Sequence, residues 1–168
     1  EIYKNSVGNN SALLLNVPPN KKGLLSQTDV ESLIAFGNKI KYEFSLDLVK
    51  YILPKASSES SLAVNVIAAD DSFWCPEEFD VVPQLIFDFE NIREIRNIVL
   101  KEHIADGQFV ERFEIYSEKN GSLKRIYKGF TIGYKKIISF KKPVFAEKLI
   151  FKFKQYRKSP EIESISIY

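Results

Sequence analysis

The chain has 168 residues, of which 45% are hydrophobic and 13% aromatic, a composition typical of one globular domain or of a small domain with an appendage. Its 24 Lys and Arg residues nearly balance its 22 Asp and Glu residues, so no basic field for nucleic acid is present. A single cysteine, Cys75, excludes an internal disulfide and any metal site built from several thiolates, and no apolar run reaches the ~20 residues that span a membrane.

The chain also contains no methionine. We therefore expect it to be a fragment or a processed piece of a longer protein rather than a product that begins at its own start codon. No signal peptide is recognisable at the N-terminus, but an export signal of the longer protein would lie upstream of Glu1. The start of the sequence consequently says nothing about the compartment in which the protein works.

The first predicted element is a buried strand over residues 12–17, Ala-Leu-Leu-Leu-Asn-Val. Its apolar residues are continuous rather than alternating, which is typical of a strand that is covered on both faces, as in a parallel sheet. Pro18 and Pro19 end this run, and Gly23 closes the loop that follows.

The second predicted element is an amphipathic helix over residues 28–43. Thr28 and Glu31 have the spacing of a capping box, and Leu24 or Leu25 is placed to act as its hydrophobic staple. Apolar residues then recur at helical spacing: Val30, Leu33, Ile34, Ile40 and Phe44. One strand and one helix cannot close a sheet or cover each other, so we interpret residues 1–43 as a βα unit of a larger α/β structure.

From about residue 45 onward the hydrophobic period changes from helical spacing to two. Residues 84–89, 109–115 and 148–153 alternate in this way, and Asn120-Gly121 between two strand patterns is a strong hairpin signal. Six to eight short strands with no further helix pattern predict an antiparallel β-sandwich. The predicted fold is therefore mainly β, with a βα unit over residues 1–43 and a sandwich domain over residues 44–168.

Carboxylates are the first candidate site residues. Asp70 and Asp71 lie together in a predicted loop, and oxygen-rich turns of this kind hold calcium. The pair does not suit glycosidase chemistry, which needs two carboxyl groups that face each other across one sugar. His103 is the only histidine, and no Gly-x-Ser-x-Gly elbow accompanies it, which favours a structural or surface role over catalysis.

Two aromatic residues are candidates for contact with a sugar ring. Trp74 lies in Asp-Ser-Phe-Trp-Cys-Pro and Tyr134 in Thr-Ile-Gly-Tyr-Lys-Lys. An exposed aromatic face with polar neighbours stacks on a sugar, whereas a single tryptophan beside a sandwich more often fills its core. The sequence leaves both roles open for each residue and favours the core for Trp74.

Several stretches together resemble glycoside hydrolase family 29, the α-L-fucosidases. Residues 7–40 are similar to the end of the catalytic barrel, where the last strand carries a Leu-Leu-Leu-Asn-x-x-Pro run before a Gly and a final helix. The downstream stretches 55–58, 70–74, 98–116 and 129–140 resemble a discoidin domain, also called coagulation-factor-type C, which has a galactose-binding-like jelly-roll fold. The most specific patterns are Leu-x-Glu-x-Ile-x-x-Gly-Gln at 100–108 and Thr-x-Gly-Tyr-Lys at 131–135.

The resemblance implies that residues 1–43 are the last βα unit of a (β/α)₈ barrel and that the sandwich follows the barrel. The family removes terminal α-linked L-fucose with retention, through an aspartate nucleophile and a carboxylic acid/base. Both groups are expected upstream of this chain, so no residue here is predicted to be catalytic and the chain alone is expected to be inactive. The family also implies an exported protein, periplasmic or extracellular.

Discoidin domains can bind galactose-type sugars, other glycans or lipid headgroups through loops at one end of the sandwich. The candidate ligands here are galactose- or fucose-containing glycans, with Trp74, His103 and Tyr134 as candidate contacts. The resemblance also implies a structural calcium with Asp70, Asp71 and Glu163 as candidate ligands, because Asp70 matches the Asp of the family's calcium loop and Glu163 matches a glutamate near the C-terminus. Asp71 stands where the family's loop has Gly, which weakens the match. The remaining alternative is a free-standing lectin-like or adhesion module, which would have no use for an unpaired βα unit.

Overall fold

The structure, a computed structural model, describes all residues from Glu1 to Tyr168. It contains helices α1 (Ile2–Ser6) and α2 (Gln27–Glu43), a 3₁₀ helix (Ser60–Ile67) and six strands. The strands are β1 (Lys55–Ala56), β2 (Gln84–Glu102), β3 (Val110–Lys119), β4 (Ser122–Gly129), β5 (Lys136–Tyr156) and β6 (Ile162–Ile167). Neither α-helix is long and apolar enough to cross a membrane.

The six strands form one antiparallel sheet with the order β1-β2-β5-β3-β4, and β6 adds to the free side of β2. Strands β2 and β5 are 19 and 21 residues long, where the sequence predicted several short strands. Register shifts between Asp88 and Arg93 and between Ile95 and Asn97 let the pair bend without losing its partner. The sheet therefore curls around its own core, which confirms the predicted mainly β, antiparallel architecture.

The core is a cluster of 22 buried residues on the inner face of this curled sheet. Leu85 and Phe87 of β2 are fully buried and lie opposite Phe151 and Leu149 of β5, as period-two alternation requires. The rings of Phe87 and Phe151 meet edge to face with centroids 5.8 Å apart. The inward faces that the alternation predicted for these two strands are thus confirmed.

The predicted hairpin at Asn120-Gly121 joins β3 to β4. Both turn residues have positive φ, 49° and 72°, which a two-residue type I′ turn requires and which Asn and Gly tolerate better than other residues. The same hairpin fixes the register of the two strands, because Lys119 lies opposite Ser122.

The run at residues 12–17 differs from its prediction, because residues 11–20 form no helix or strand. Leu14 is 93% exposed and Leu15 is 41% exposed, whereas Val17 is half-buried, so the apolar run is only partly covered in this chain. The physical reason is that a strand needs a neighbouring strand to satisfy its backbone N–H and C=O groups, and none lies beside it. The prediction of a formed strand in this chain is therefore wrong.

Helix α2 begins one residue before its prediction and ends at the predicted residue, but its cap is different. Ser26, not Thr28, is the N-cap, and its Oγ accepts a hydrogen bond from the Asp29 N–H at 3.2 Å. No residue of the helix is buried, although its apolar residues recur at helical spacing. Helix α2 thus leaves much of its apolar face uncovered, and only a shallow contact forms where Leu33 and Val17 line a common cavity.

Residues 2–10 pack on the sandwich, unlike the exposed segment that comes after them. The side-chain amide of Asn10 donates to the Ile132 carbonyl at 3.0 Å, and its Oδ1 accepts from the Lys135 N–H at 2.8 Å. Gly8 is buried, and the Ile137 N–H donates to its carbonyl at 2.9 Å. Helix α1 and the 3₁₀ helix are two elements that the sequence did not predict.

Candidate functional site

The candidate site is a pocket of about 480 Å³ at one end of the sandwich, which we call the Lys101 pocket. Strand β6 forms one wall, with Glu163, Ser164 and Ser166, and the segment after the 3₁₀ helix, residues 69–71, forms the opposite wall. Lys101, near the end of β2, lies between them because β2 and β6 pair with Lys101 opposite Ser164. Twelve residues line the pocket. Besides Lys101, seven of them carry a charge or a hydroxyl group: Asp47, Lys50, Asp70, Asp71, Glu163, Ser164 and Ser166.

The ammonium group of Lys101 is the centre of the pocket's electrostatics. Its Nζ lies 2.8 Å from Oε1 of Glu163 and 5.1 Å from the centroid of the Tyr134 ring. The hydrogen bond to Glu163 raises the pKa of Lys101 above its ordinary value, and the charge of Asp71 adds to this effect. Lys101 is thus held in its charged form by acidic neighbours on two different walls of the pocket.

The loop at residues 68–72 is shaped by its own hydrogen bonds. Asp70 accepts from both the N–H and the hydroxyl of Ser72, and these bonds lower the pKa of Asp70 below its ordinary value. The residue before it, Ala69, has φ of 58°, in the left-handed region that a residue with a Cβ rarely adopts. The Asp70 carboxylate is therefore turned toward its own loop, not toward Glu163.

Glu102, the neighbour of Lys101 in β2, holds the loops around the pocket in place through hydrogen bonds to their backbone. Its side chain is fully buried, and its Oε1 accepts from the N–H groups of Phe109 and Val110, each at 2.7 Å. Its Oε2 accepts from the Gly133 N–H at 3.1 Å, which places Tyr134 beside the pocket. A buried carboxylate that satisfies three backbone donors ties two loops to β2, so Glu102 determines the local fold.

The residues predicted to bind calcium line one pocket, but they do not form a metal site. Asp70, Asp71 and Glu163 all border the Lys101 pocket, yet no group of three carboxylate, histidine or cysteine side chains converges in the molecule. Calcium takes six to eight oxygen ligands, whereas Glu163 is already paired with an ammonium group and no further acidic side chain converges on it. These residues therefore do not fit calcium as they are arranged.

The three aromatic candidates for sugar binding lie in different environments. Trp74 is fully buried, its Nε1–H donates to the Ser58 carbonyl at 3.0 Å, and its ring packs on Phe153, so it fills the core. His103 is half-buried and stacks on Phe73 with ring centroids 4.6 Å apart. Only Tyr134, which is 58% exposed, presents an open aromatic face next to the Lys101 pocket.

Sequence reasoning missed Lys101, the residue that connects the pocket walls. The signal was present, because Leu100 and Glu102 are both buried and Lys101 between them must point to the opposite face of β2. The alternation along β2 could not identify the hydrogen-bond partner of Lys101, because Glu163 lies 62 residues further along the chain. Only the pairing of β2 with β6 brings the two side chains together.

The comparisons with known proteins agree with this architecture. No model of a known protein family matches the chain. Alpha-L-fucosidase 1 of Arabidopsis thaliana is 32% identical over 177 residues, covering 100% of this chain but 35% of the plant protein. The chain thus spans about a third of the length of the curated relatives that it matches.

Two solved structures share the fold of this chain, one of them within a longer protein. The Ruminococcus gnavus GH29 fucosidase E1_10125, solved with fucose, has a TM-score of 0.89 and 26% identity, covering 99% of this chain and 35% of that one. The family 32 CBM of C. perfringens NanJ, solved with galactose, has a TM-score of 0.63 and 18% identity over 72% of this chain and 95% of that one, and shows a shared fold. Matched from end to end by α-L-fucosidases that extend well beyond it, the chain belongs to glycoside hydrolase family 29 as a C-terminal part of such a protein.

Proposed function

We propose that this chain is the non-catalytic accessory portion of an α-L-fucosidase that releases terminal L-fucose from glycans. In this proposal, residues 11–43 complete a catalytic barrel that is formed by the rest of the same polypeptide, and the sandwich buttresses that barrel. The protein as a whole is exported, to the periplasm or the cell exterior, where glycans are met. A free-standing lectin-like module is less well supported, because the match to the plant fucosidase covers the exposed segment as well as the sandwich.

The observation that carries the proposal is the bare apolar surface of residues 11–43. Helix α2 buries no residue, and Leu14, Leu24 and Ile34 are 93%, 64% and 57% exposed. Monomeric proteins rarely expose contiguous apolar surface of this kind without a partner for it. The rest of a (β/α)₈ barrel has the required chemistry, because it supplies a neighbouring strand for residues 12–17 and an apolar layer for helix α2.

The test uses the isolated chain and a double variant, Leu14→Ser with Leu15→Ser. We expect the wild-type chain to self-associate in sedimentation velocity and to bind the dye ANS, and the variant to do both less. Residues 12–17 should also exchange their amide hydrogens rapidly in both proteins. A monomeric wild-type chain with slow exchange across residues 11–43 would contradict the proposal, because the segment would then be satisfied without a barrel.

A second expectation of the proposal concerns activity. The isolated chain should release no 4-nitrophenol from 4-nitrophenyl α-L-fucoside above the buffer rate, because the nucleophile and the acid/base belong to other barrel strands. Saturable release by the purified chain would overturn the non-catalytic role.

We also propose that the sandwich binds galactose- or fucose-containing glycans at the Lys101 pocket. Tyr134 supports this proposal, because its exposed ring stands beside charged and hydroxyl groups that can hydrogen-bond a sugar. His103 is the second candidate contact, although its ring already stacks on Phe73. The galactose-bound CBM with the same fold supports the class of ligand.

Calorimetric titration with fucosylated and galactosylated oligosaccharides tests this second proposal. We expect binding by the wild-type chain that Tyr134→Ala weakens at least tenfold. Tyr42→Ala is the matched control, because Tyr42 is 84% exposed on helix α2, away from the pocket, and should bind as the wild type does. A flat response of the wild type to all of these glycans would leave the sandwich with its structural role alone.

A further inference from the structure

The Lys101 ammonium group contacts two other segments of the chain and lines one pocket with a third. It contacts Glu163 of β6 at 2.8 Å and lies 5.1 Å from the Tyr134 ring, in the loop before β5. It also lines the same pocket as Asp70 and Asp71, which follow the 3₁₀ helix. The side chains of Lys101 and Glu163 are 29% and 19% exposed, so the pair is only partly exposed to solvent.

A positive charge in this position does what a bound structural cation does in a protein. It compensates acidic groups that converge from a loop and a strand, and it holds those elements together. A cation also attracts the face of an aromatic ring, which accounts for the position of Tyr134 over Lys101. The ammonium differs from a metal ion because it is attached to β2 and cannot dissociate.

The same arrangement opposes a divalent metal. A metal ion at the Lys101 pocket would need Glu163 as a ligand and would stand next to a fixed positive charge, which repels it. Glu163 is hydrogen-bonded to the Lys101 ammonium group, and no three carboxylate side chains converge at the pocket, so the arrangement falls short of the six to eight oxygen ligands that calcium requires.

We infer that Lys101 is a built-in cation that replaces a structural metal ion at this end of the sandwich, joining β6, the loop at 68–72 and the Tyr134 loop. The inference does not depend on the proposed glycan binding or on the fucosidase role. It makes the sandwich independent of calcium and assigns its local stability to one lysine.

The first experiment measures metal dependence directly. We expect elemental analysis of the purified chain to find far less than one calcium per molecule, and its melting temperature to be the same in millimolar calcium chloride and in excess EDTA. A near-stoichiometric calcium content, or a melting temperature that rises with calcium, would overturn the inference.

The second experiment tests the lysine itself. Lys101→Met keeps the apolar stem and removes the charge, and Lys50→Met is the matched control because Lys50 lines the same pocket without an acidic hydrogen-bond partner. We expect Lys101→Met to melt about 1–4 °C below Lys50→Met, and the loss to disappear in a Glu163→Gln background, where the main acceptor charge is already gone. Equal melting temperatures for the two single variants, or equal losses with and without Glu163, would contradict the built-in cation.

Discussion

The sandwich and the segment at residues 11–43 contain apolar stretches of similar character, but the first are buried and the second is exposed. Leu149, Phe151 and Phe153 of β5 are at most 1% exposed, because they lie on the inner face of the curled sheet, where β2 and β3 hold β5 from both sides. Leu14 and Leu15, in an equally apolar run, lie in the open. The two stretches differ in whether a packing partner is present and not in their apolar character. The exposure of residues 12–17 therefore fits our proposal that their partner is the rest of a barrel.

The largest expected effect contrasts one leucine in each region. Leu149→Ala removes a fully buried side chain from the core and should lower the free energy of unfolding by about 2–5 kcal/mol. Leu14→Ala makes the same chemical change at a 93% exposed position and should change it by less than about 0.5 kcal/mol. Urea denaturation followed by fluorescence measures both, because the only tryptophan, Trp74, is fully buried in the sandwich core and reports on it alone.

Comparable losses in the two variants would break the contrast. They would mean that residues 12–17 pack against the sandwich in solution, and the apolar run would then need no barrel to cover it.

A second comparison tests where the boundary between the two regions lies. A Cβ added at Gly8 would lie 2.3 Å from the Lys4 carbonyl oxygen and 2.6 Å from the Ile137 Cβ, so Gly8→Ala must displace α1 or β5. We expect a loss of about 1–3 kcal/mol in the Trp74 unfolding transition. This would show that residues 2–10 belong energetically to the sandwich, although the predicted division of the chain assigns them to the βα unit.

Gly37→Ala is the control for this comparison, because an added Cβ there meets nothing within 4 Å. Alanine favours a helix over glycine by about 1 kcal/mol, so helix α2 should gain circular dichroism signal while the Trp74 transition stays in place. If Gly8→Ala also left that transition in place, residues 2–10 would not contribute to the sandwich, and the division near residue 43 would stand.

The sequence predicted the elements whose stability is local or repetitive. Period-two alternation identified the inward faces of β2 and β5, Asn120-Gly121 identified the hairpin, and the apolar spacing located helix α2. Prediction from the sequence failed for elements that need a neighbouring strand in order to form or that are too short to show a hydrophobic period. The strand predicted at 12–17 needs a neighbouring strand, and α1, with five residues, is too short to show a period.

The candidate site was less accessible to sequence reasoning for the same reason. Acidic residues were recognised as a group at Asp70, Asp71 and Glu163, and the fold does bring them to one pocket. Their partner Lys101 was not recognised, because a lysine between two buried residues of a strand has the pattern of any solvated strand position. The aromatic candidates were separated by burial, which placed Trp74 in the core and Tyr134 at the surface.

The smallest expected effect is a pH dependence that belongs to the sandwich and not to the exposed segment. The folded state raises the pKa of Lys101 above its ordinary value of 10.5, so folding favours the protonated form. The stability that this pair supplies is therefore complete below pH 10.5 and is lost as the pH rises through the higher pKa of the folded state. For a partly exposed pair we expect about 0.2–1 kcal/mol, measured as the difference in unfolding free energy between the wild type and Lys101→Met.

That difference in unfolding free energy should be constant from neutral pH to mildly alkaline pH and should decline only in strong alkali. Lys50→Met should differ from the wild type by a small amount without this decline. A difference that instead grew with pH would reverse the sign of the argument and would show that the fold favours the neutral amine.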